Sequence, residues 1–296
     1  MNKGKPALVA PALLVAVAAI SFAAIFFIKA EPTHPLVSAG VRLAVAALLL
    51  APFSVRALVN GGLRGRALIS SLFAGLAYAV HFGAWVTSLG LTSVAASVTL
   101  VTINPLILAL VGTLTRRDKP GGRLWLSIGL ACVGVAIIGG HDLVGGRDAL
   151  LGDGLALVGA LAMSCYLLLG RSLGDKLDPL AYSGVATAVG AALLLGCATV
   201  AGVPIRVASS EALFYLVLAA VVPQLIGHNL ITWSLRHAAP AAVAMSIVGE
   251  PAGAAILGWL WLGRPVSGIT ALGCIVTLSA VIIAVRQGTP GKIRSK

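Results

Sequence analysis

A short set of side chains able to hydrogen-bond or exchange protons stands inside long apolar stretches of this sequence: Arg42, Tyr78, His81, Asn104, Tyr166, Gln224, His228, Asn229 and Glu250. An ionisable group in hydrocarbon costs about 2.5–3.5 kcal/mol on insertion scales. Such a group therefore faces a partner or a wet cavity. Tyr78, His81 and Trp85 are spaced i, i+3, i+7, which puts them on one face of a helix. Aromatic rings beside an imidazole suit a flat or partly apolar solute. The alternatives are interhelical packing for Tyr78 and an interfacial belt for Trp85. Gln224 and His228 are i, i+4 on a second helix, with Ile231 on the same face. For His228 a structural hydrogen bond is the alternative. Thr99 and Thr102 (i, i+3), and Ser246 four residues before Glu250, supply hydroxyls to a cavity or bond their own backbone.

Asn104-Pro105 and Glu250-Pro251 lie at the centres of two apolar runs. Proline has no N–H and clashes with the carbonyl four residues back, which frees the carbonyls of Val101 and Ile247. Free acceptors at midplane make a hinge at Pro105 and Pro251, or a seat for an ammonium group. A plain structural kink is the alternative. Glu250 is the one carboxylate deep in an apolar run. Desolvation favours its neutral form and a nearby Arg42 its charged form. It is read as a structural partner of Arg42, with proton uptake during a cycle as the second role.

These side chains need elements to hold them. Hydrophobic residues make up 59% of the 296 and charged residues 10%, against about 25% charged in a soluble domain. Mean hydropathy is +1.03. That excludes a soluble, disordered or coiled-coil chain. A crossing helix needs about 20 apolar residues. Segments near 7–29, 35–55, 67–89, 92–115, 122–140, 151–171, 179–201, 211–235, 239–262 and 266–286 predict ten. Continuous rather than alternating runs exclude a β-barrel, so the fold class is all-α polytopic membrane protein. The first run, after Lys3 and Lys5, is too long for a cleaved signal peptide. Gly90 and Leu91 alone separate the third and fourth runs, which predicts a tight turn. Cys132, Cys165, Cys197 and Cys274 sit singly in apolar runs and are read as packing or lipid-facing residues.

The net charge of +12 reflects topology rather than nucleic acid. Lys and Arg fall on alternate gaps, with Lys29, Arg147, Arg206 and Arg264 on the poorer side and Arg42 within the second run. This bias places both termini in the cytoplasm. The basic tail from Arg286 to Lys296 is read as a topology signal and headgroup contact.

Asn104-Pro105 superposes on Glu250-Pro251 at an offset of 146 residues. Ser88-Leu89 then meets Ser234-Leu235, Gly112 meets Gly258 and Gly122 meets Gly268. At an offset of 144, Pro35-Leu36 meets Pro179-Leu180 and Gly40 meets Gly184. The chain therefore divides into residues 1–146 and 147–296, five helices each. Five is odd, so the halves cross in opposite senses, an arrangement favoured by carriers that alternate between two faces.

With these features the sequence resembles the drug/metabolite transporter superfamily, EamA type. The resemblance rests on the two five-helix halves, Gly40-Val41-Arg42-Leu43, and the stretch from Glu250-Pro251-Ala252-Gly253 to Gly258-Trp259-Leu260-Trp261-Leu262-Gly263. Its counterpart is Asn104-Pro105-Leu106-Ile107-Leu108. The aromatic and His content of the third run is similar to bacterial exporters of aromatic and other neutral amino acids, the YddG kind. One departure stands out: Arg264 occupies the place where the family often has Glu, and Arg116-Arg117-Asp118 the matching place in the first half.

The resemblance implies a secondary carrier of small metabolites in a bacterial inner membrane, exporting amino acids by alternating access. Drugs or sugars are the alternative cargo. The site is expected from Tyr78, His81, Trp85, Thr99, Thr102, Asn104, Tyr166, Gln224, His228 and Ser246. Partners are a small-molecule substrate and the bilayer, with no cofactor, metal or nucleic acid; a monomer suffices and a dimer is compatible. Hydrolase, Walker and Rossmann motifs are absent, so no enzyme is expected. A reading of another class makes His81, His228 and Glu250 an intramembrane enzyme or sensor.

Overall fold

The computed structural model describes residues 8–116, 121–139, 146–173, 177–238, 240–263 and 268–287. Lys3, Lys5, Arg117, Asp118, Lys119, Arg264 and the tail beyond Gln287 lie outside the described residues. Every regular element among the described residues is helical. The helices are α1 (Val9–Lys29), α2 (Pro35–Val59), α3 (Arg66–Ser88), α4 (Val94–Val101 and Asn104–Leu114) and α5 (Gly122–Gly139). They continue as α6 (Gly146–Leu173), α7 (Pro179–Val200), α8 (Ser210–Ser234), α9 (Pro240–Ile247 and Glu250–Leu262) and α10 (Gly268–Gln287). Eight have the length and hydropathy to cross a bilayer; the apolar parts of α5 and α10, Gly122–Ile137 and Ala271–Ala284, are shorter. The expected tight turn joins α3 to α4, where Ser93 Oγ accepts from the Ala96 N–H at 3.1 Å.

The repeat is visible in the caps. His34 and Asp178 precede α2 and α7, and each side chain accepts from the N–H two residues on, Leu36 and Leu180. Both helices carry Pro in the first turn, where its missing N–H costs nothing. Both end on a left-handed glycine, Gly61 (φ 75°) and Gly202 (φ 71°), a conformation a Cβ would strain. The offset shortens between cap and end because α2 has 25 residues and α7 has 22.

The packing obeys the same exchange. α2 packs on α7, α4 on α9 and α5 on α10; α3 lies on α6 as α8 lies on α1. Replacing each helix by the one five further along reproduces each of these pairs. One core surrounds α1, α2, α3, α6, α7 and α8. A second, smaller one joins α4, α5, α9 and α10 through Ala109, Ile128, Val135, Met245 and Ala280. The outward faces carry exposed Leu48, Leu114, Trp259 and Ile275, an apolar exterior that water would not tolerate over so large an area. Gly253 of α9 lies against Ser21 of α1, whereas Gly258 has no neighbour within 4 Å of a Cβ position among the described residues.

The prolines break their helices rather than kink them. α4 is interrupted at Thr102 and Ile103, and α9 at Val248 and Gly249. Asn104-Pro105 and Glu250-Pro251 open the second segments, with Pro where the N–H has no intrahelical partner.

Candidate functional site

α2 carries Arg42 into the bundle, where its side chain is 0% exposed. Its Nη2 donates to Gln224 Oε1 at 3.0 Å, and Gln224 Nε2 donates to the Tyr78 hydroxyl at 3.2 Å. A guanidinium only donates, so the amide has one workable orientation. Phe82 and Phe27 offer their ring faces to the cation at 4.3 and 5.4 Å, an attraction of about 2 kcal/mol when desolvated. Arg42 Nε and Nη1 have no acceptor among the described residues.

The expected strut between Arg42 and Glu250 is therefore not made. Gln224 takes the cation instead. It lies on Ala220–His228, a π-helical stretch of α8 containing Pro223. Proline cannot supply the α-helical N–H, and the wider turn accommodates it. Glu250 is 8% exposed and sits in the first turn of its helical segment, where free N–H groups favour an acidic side chain.

Tyr78 and Gln224 are 146 residues apart, the offset of the repeat. Their bond thus joins equivalent positions on α3 and α8. Beside it is a cavity of about 30 Å³ bounded by α1, α3, α4, α6, α8 and α9. Four pairs of its lining residues are repeat equivalents: Phe82 with His228, Trp85 with Ile231, Val101 with Ile247, and Asn104 with Glu250. The cavity thus lies where the two halves meet about their exchange axis. It has room for about two waters and is far smaller than a solute pocket. A solute enters only if the helices part.

Of the expected residues, His81, Trp85, Thr102, Asn104 and His228 line this cavity, together with Glu250. His81 Nδ1 contacts the Gly159 carbonyl at 2.9 Å. A carbonyl only accepts, so Nδ1 carries the proton and Nε2 of the neutral ring is the acceptor. The imidazole is edge-on to Phe82 at 4.4 Å and parallel to Trp85 at 6.1 Å. Trp85 is buried, with Nε1 lacking an acceptor among the described residues, so it is no interfacial belt. His228 meets Phe82 at 90° and 5.8 Å, and its ring has no hydrogen-bond partner among the described residues.

The Val101 carbonyl expected to be free accepts from Asn104 Nδ2 at 3.1 Å, and Asn104 Oδ1 accepts from Ser164 at 3.0 Å. Thr102 bonds its own helix, at the Thr99 carbonyl. Thr99 and Ser246 are buried hydroxyls without a hydrogen-bond partner among the described residues and lie off the cavity, as do Tyr78, Tyr166 and Gln224. Tyr166 stacks on Tyr78 at 3.9 Å and its hydroxyl meets Thr232 at 3.2 Å. Pro105 lies on a second, smaller space between α4, α5 and α9.

Phe82, Met163 and Leu167 also line the cavity and were not expected there. Phe82 follows Tyr78 by four residues, a spacing that marks it; Met163 and Leu167 look like any other apolar residue of α6. Among the described residues no three His, Cys, Asp or Glu side chains are grouped to hold a metal ion.

The model of the EamA-like transporter family matches residues 9–140 and 150–286, which together are nearly the whole chain. The chain belongs to the EamA-like transporter family. It is a multi-pass membrane transporter of the drug/metabolite transporter superfamily. No curated protein matches this EamA sequence. One solved structure, titled only "Crystal structure of protein", superposes with a TM-score of 0.75 at 15% identity, covering 98% of this chain and 100% of that one. At that identity the likeness establishes the fold alone.

Proposed function

We propose that this EamA transporter is a secondary carrier that exports small organic metabolites, amino acids including aromatic ones first among them, by alternating access. The observation that supports this is the cavity shared by repeat-equivalent residues of both halves. Two equivalent walls around one site are what a carrier needs to present that site to either face with similar energy. The breaks before Asn104-Pro105 and Glu250-Pro251 serve as hinges. Parallel His81 and Trp85 rings receive an aromatic or partly apolar side chain. Residues 1–146 and 147–296 act as the two inverted halves, in a bacterial inner membrane with both termini cytoplasmic. One chain contains the whole site, so a monomer suffices. Drugs or sugars are the second cargo class, favoured only if amino acids fail.

Proteoliposomes holding the purified chain test this with labelled amino acids, with and without a pH gradient. Saturable uptake lost in His81→Ala is the expected result. A gradient effect lost only in Glu250→Gln assigns proton coupling to that carboxylate. A substrate-independent conductance, or no uptake of any amino acid, refutes the carrier or its cargo respectively.

A further inference from the structure

We propose that the cargo carries a carboxylate, and that the unused donors of Arg42 are its docking point. This rests on the carrier reading above. Arg42 remains charged in any protein environment, and burying a cation costs several kcal/mol unless it is fully paired. Here it is fully buried, yet its one hydrogen-bond partner is a neutral amide. Its Nε and Nη1 donors meet no acceptor among the described residues. No carboxylate lies within ion-pair distance of it among the described residues: all three nitrogens are accounted for by Gln224 or by nothing.

A purely structural cation would be expected to close on Glu250, a buried acid in the bundle. Instead no ion pair forms between the two among the described residues, and the guanidinium keeps two donors without an acceptor there. The guanidinium lies against the face of Phe82, and Phe82 is a wall of the cavity. The cation is thus one aromatic ring away from the space the solute must widen. When that ring turns aside, an entering carboxylate gains the free donors and neutralises the buried charge. The same lining also offers Glu250 and Asn104, which suit an ammonium group, and the rings of His81 and Trp85. A zwitterion with an apolar side chain satisfies all three regions, and a carboxylate is the part that the unpaired cation requires.

The test compares each carboxylate with its own amide. Purified full-length protein in detergent is titrated with phenylalanine against phenylalaninamide, and 3-phenylpropanoate against 3-phenylpropanamide, following Trp fluorescence and melting temperature. The carboxylates are expected to bind about 10- to 100-fold more tightly than the amides, the range for a charge-assisted hydrogen bond in a desolvated site. Arg42→Gln should abolish that preference and Arg42→Lys restore part of it. If Arg42→Gln does not fold, the wild-type comparison still decides. Amides that bind as well as their acids, or a panel in which no carboxylate shifts either signal, overturn the proposal. Carboxylate-selective binding without uptake into proteoliposomes would sink the carrier and keep the anion site. Saturable uptake indifferent to the carboxylate would keep the carrier and sink this proposal.

Discussion

Gln224 is the position where stability and binding should move in opposite directions. Its carbonyl oxygen is the only hydrogen-bond acceptor on Arg42 among the described residues, and its amide nitrogen ties the same unit to Tyr78. Gln224→Leu removes one charge-assisted bond, worth about 1.5–3 kcal/mol, and one neutral interhelical bond, worth about 0.6 kcal/mol in a bilayer. It also leaves a buried cation with no hydrogen-bond acceptor. The expected loss is about 2–4 kcal/mol. At about 2 °C per kcal/mol for a chain of this size, the melting temperature should fall by about 4–8 °C. Gln224→Glu keeps the shape and supplies an anion. The Tyr78 hydroxyl then turns to donate, and the pair gains a full charge interaction, so melting should hold steady or rise. The same anion occupies Arg42, so carboxylate binding should fall about tenfold or more. Thermal unfolding in detergent, followed by Trp fluorescence, gives the order. A Leu variant as stable as the parent, or a Glu variant less stable than Leu, would refute the assignment of Gln224 as the partner of a charged Arg42.

Three further outcomes are expected. Gly159→Val places side-chain atoms against Val101 and Trp85 beside the carbonyl that orients His81; saturable binding should be lost, with destabilisation of about 1–3 kcal/mol from overpacking, read by binding and melting together. Gly227→Leu on α8 meets Ile20 and Ala16 of α1 and should lower the melting temperature by several degrees, whereas Gly258→Leu, whose Cβ has no described neighbour within 4 Å, should leave it within about 1 °C. Asn104→Leu removes the cap on the Val101 carbonyl and the bond from Ser164, and should cost about 1–3 kcal/mol in thermal unfolding.

Apolar run length alone determined the class of this protein, because a bilayer demands about 20 residues per crossing and the chain supplies such runs repeatedly. The spacing of Pro, Gly and Ser likewise exposed the repeat, and the structure gives one match its physical reason: Pro35 and Pro179 each stand in the first turn of a helix. The face shared by His81 and Trp85 was legible for the same reason, helical periodicity. What the sequence left open was which apolar face packs and which meets lipid, because both surroundings are equally apolar. Met163 and Leu167 thus reached the cavity wall unannounced. The partner of Arg42 was also beyond the sequence. Charge complementarity pointed to Glu250, but the π-helical turn around Pro223 carries Gln224, and it is this neutral amide that accepts from the cation. Only the packing of α8 against α2 and α3 decides that, because a hydrogen bond across 182 residues of chain depends on where the helices cross rather than on what lies near in sequence.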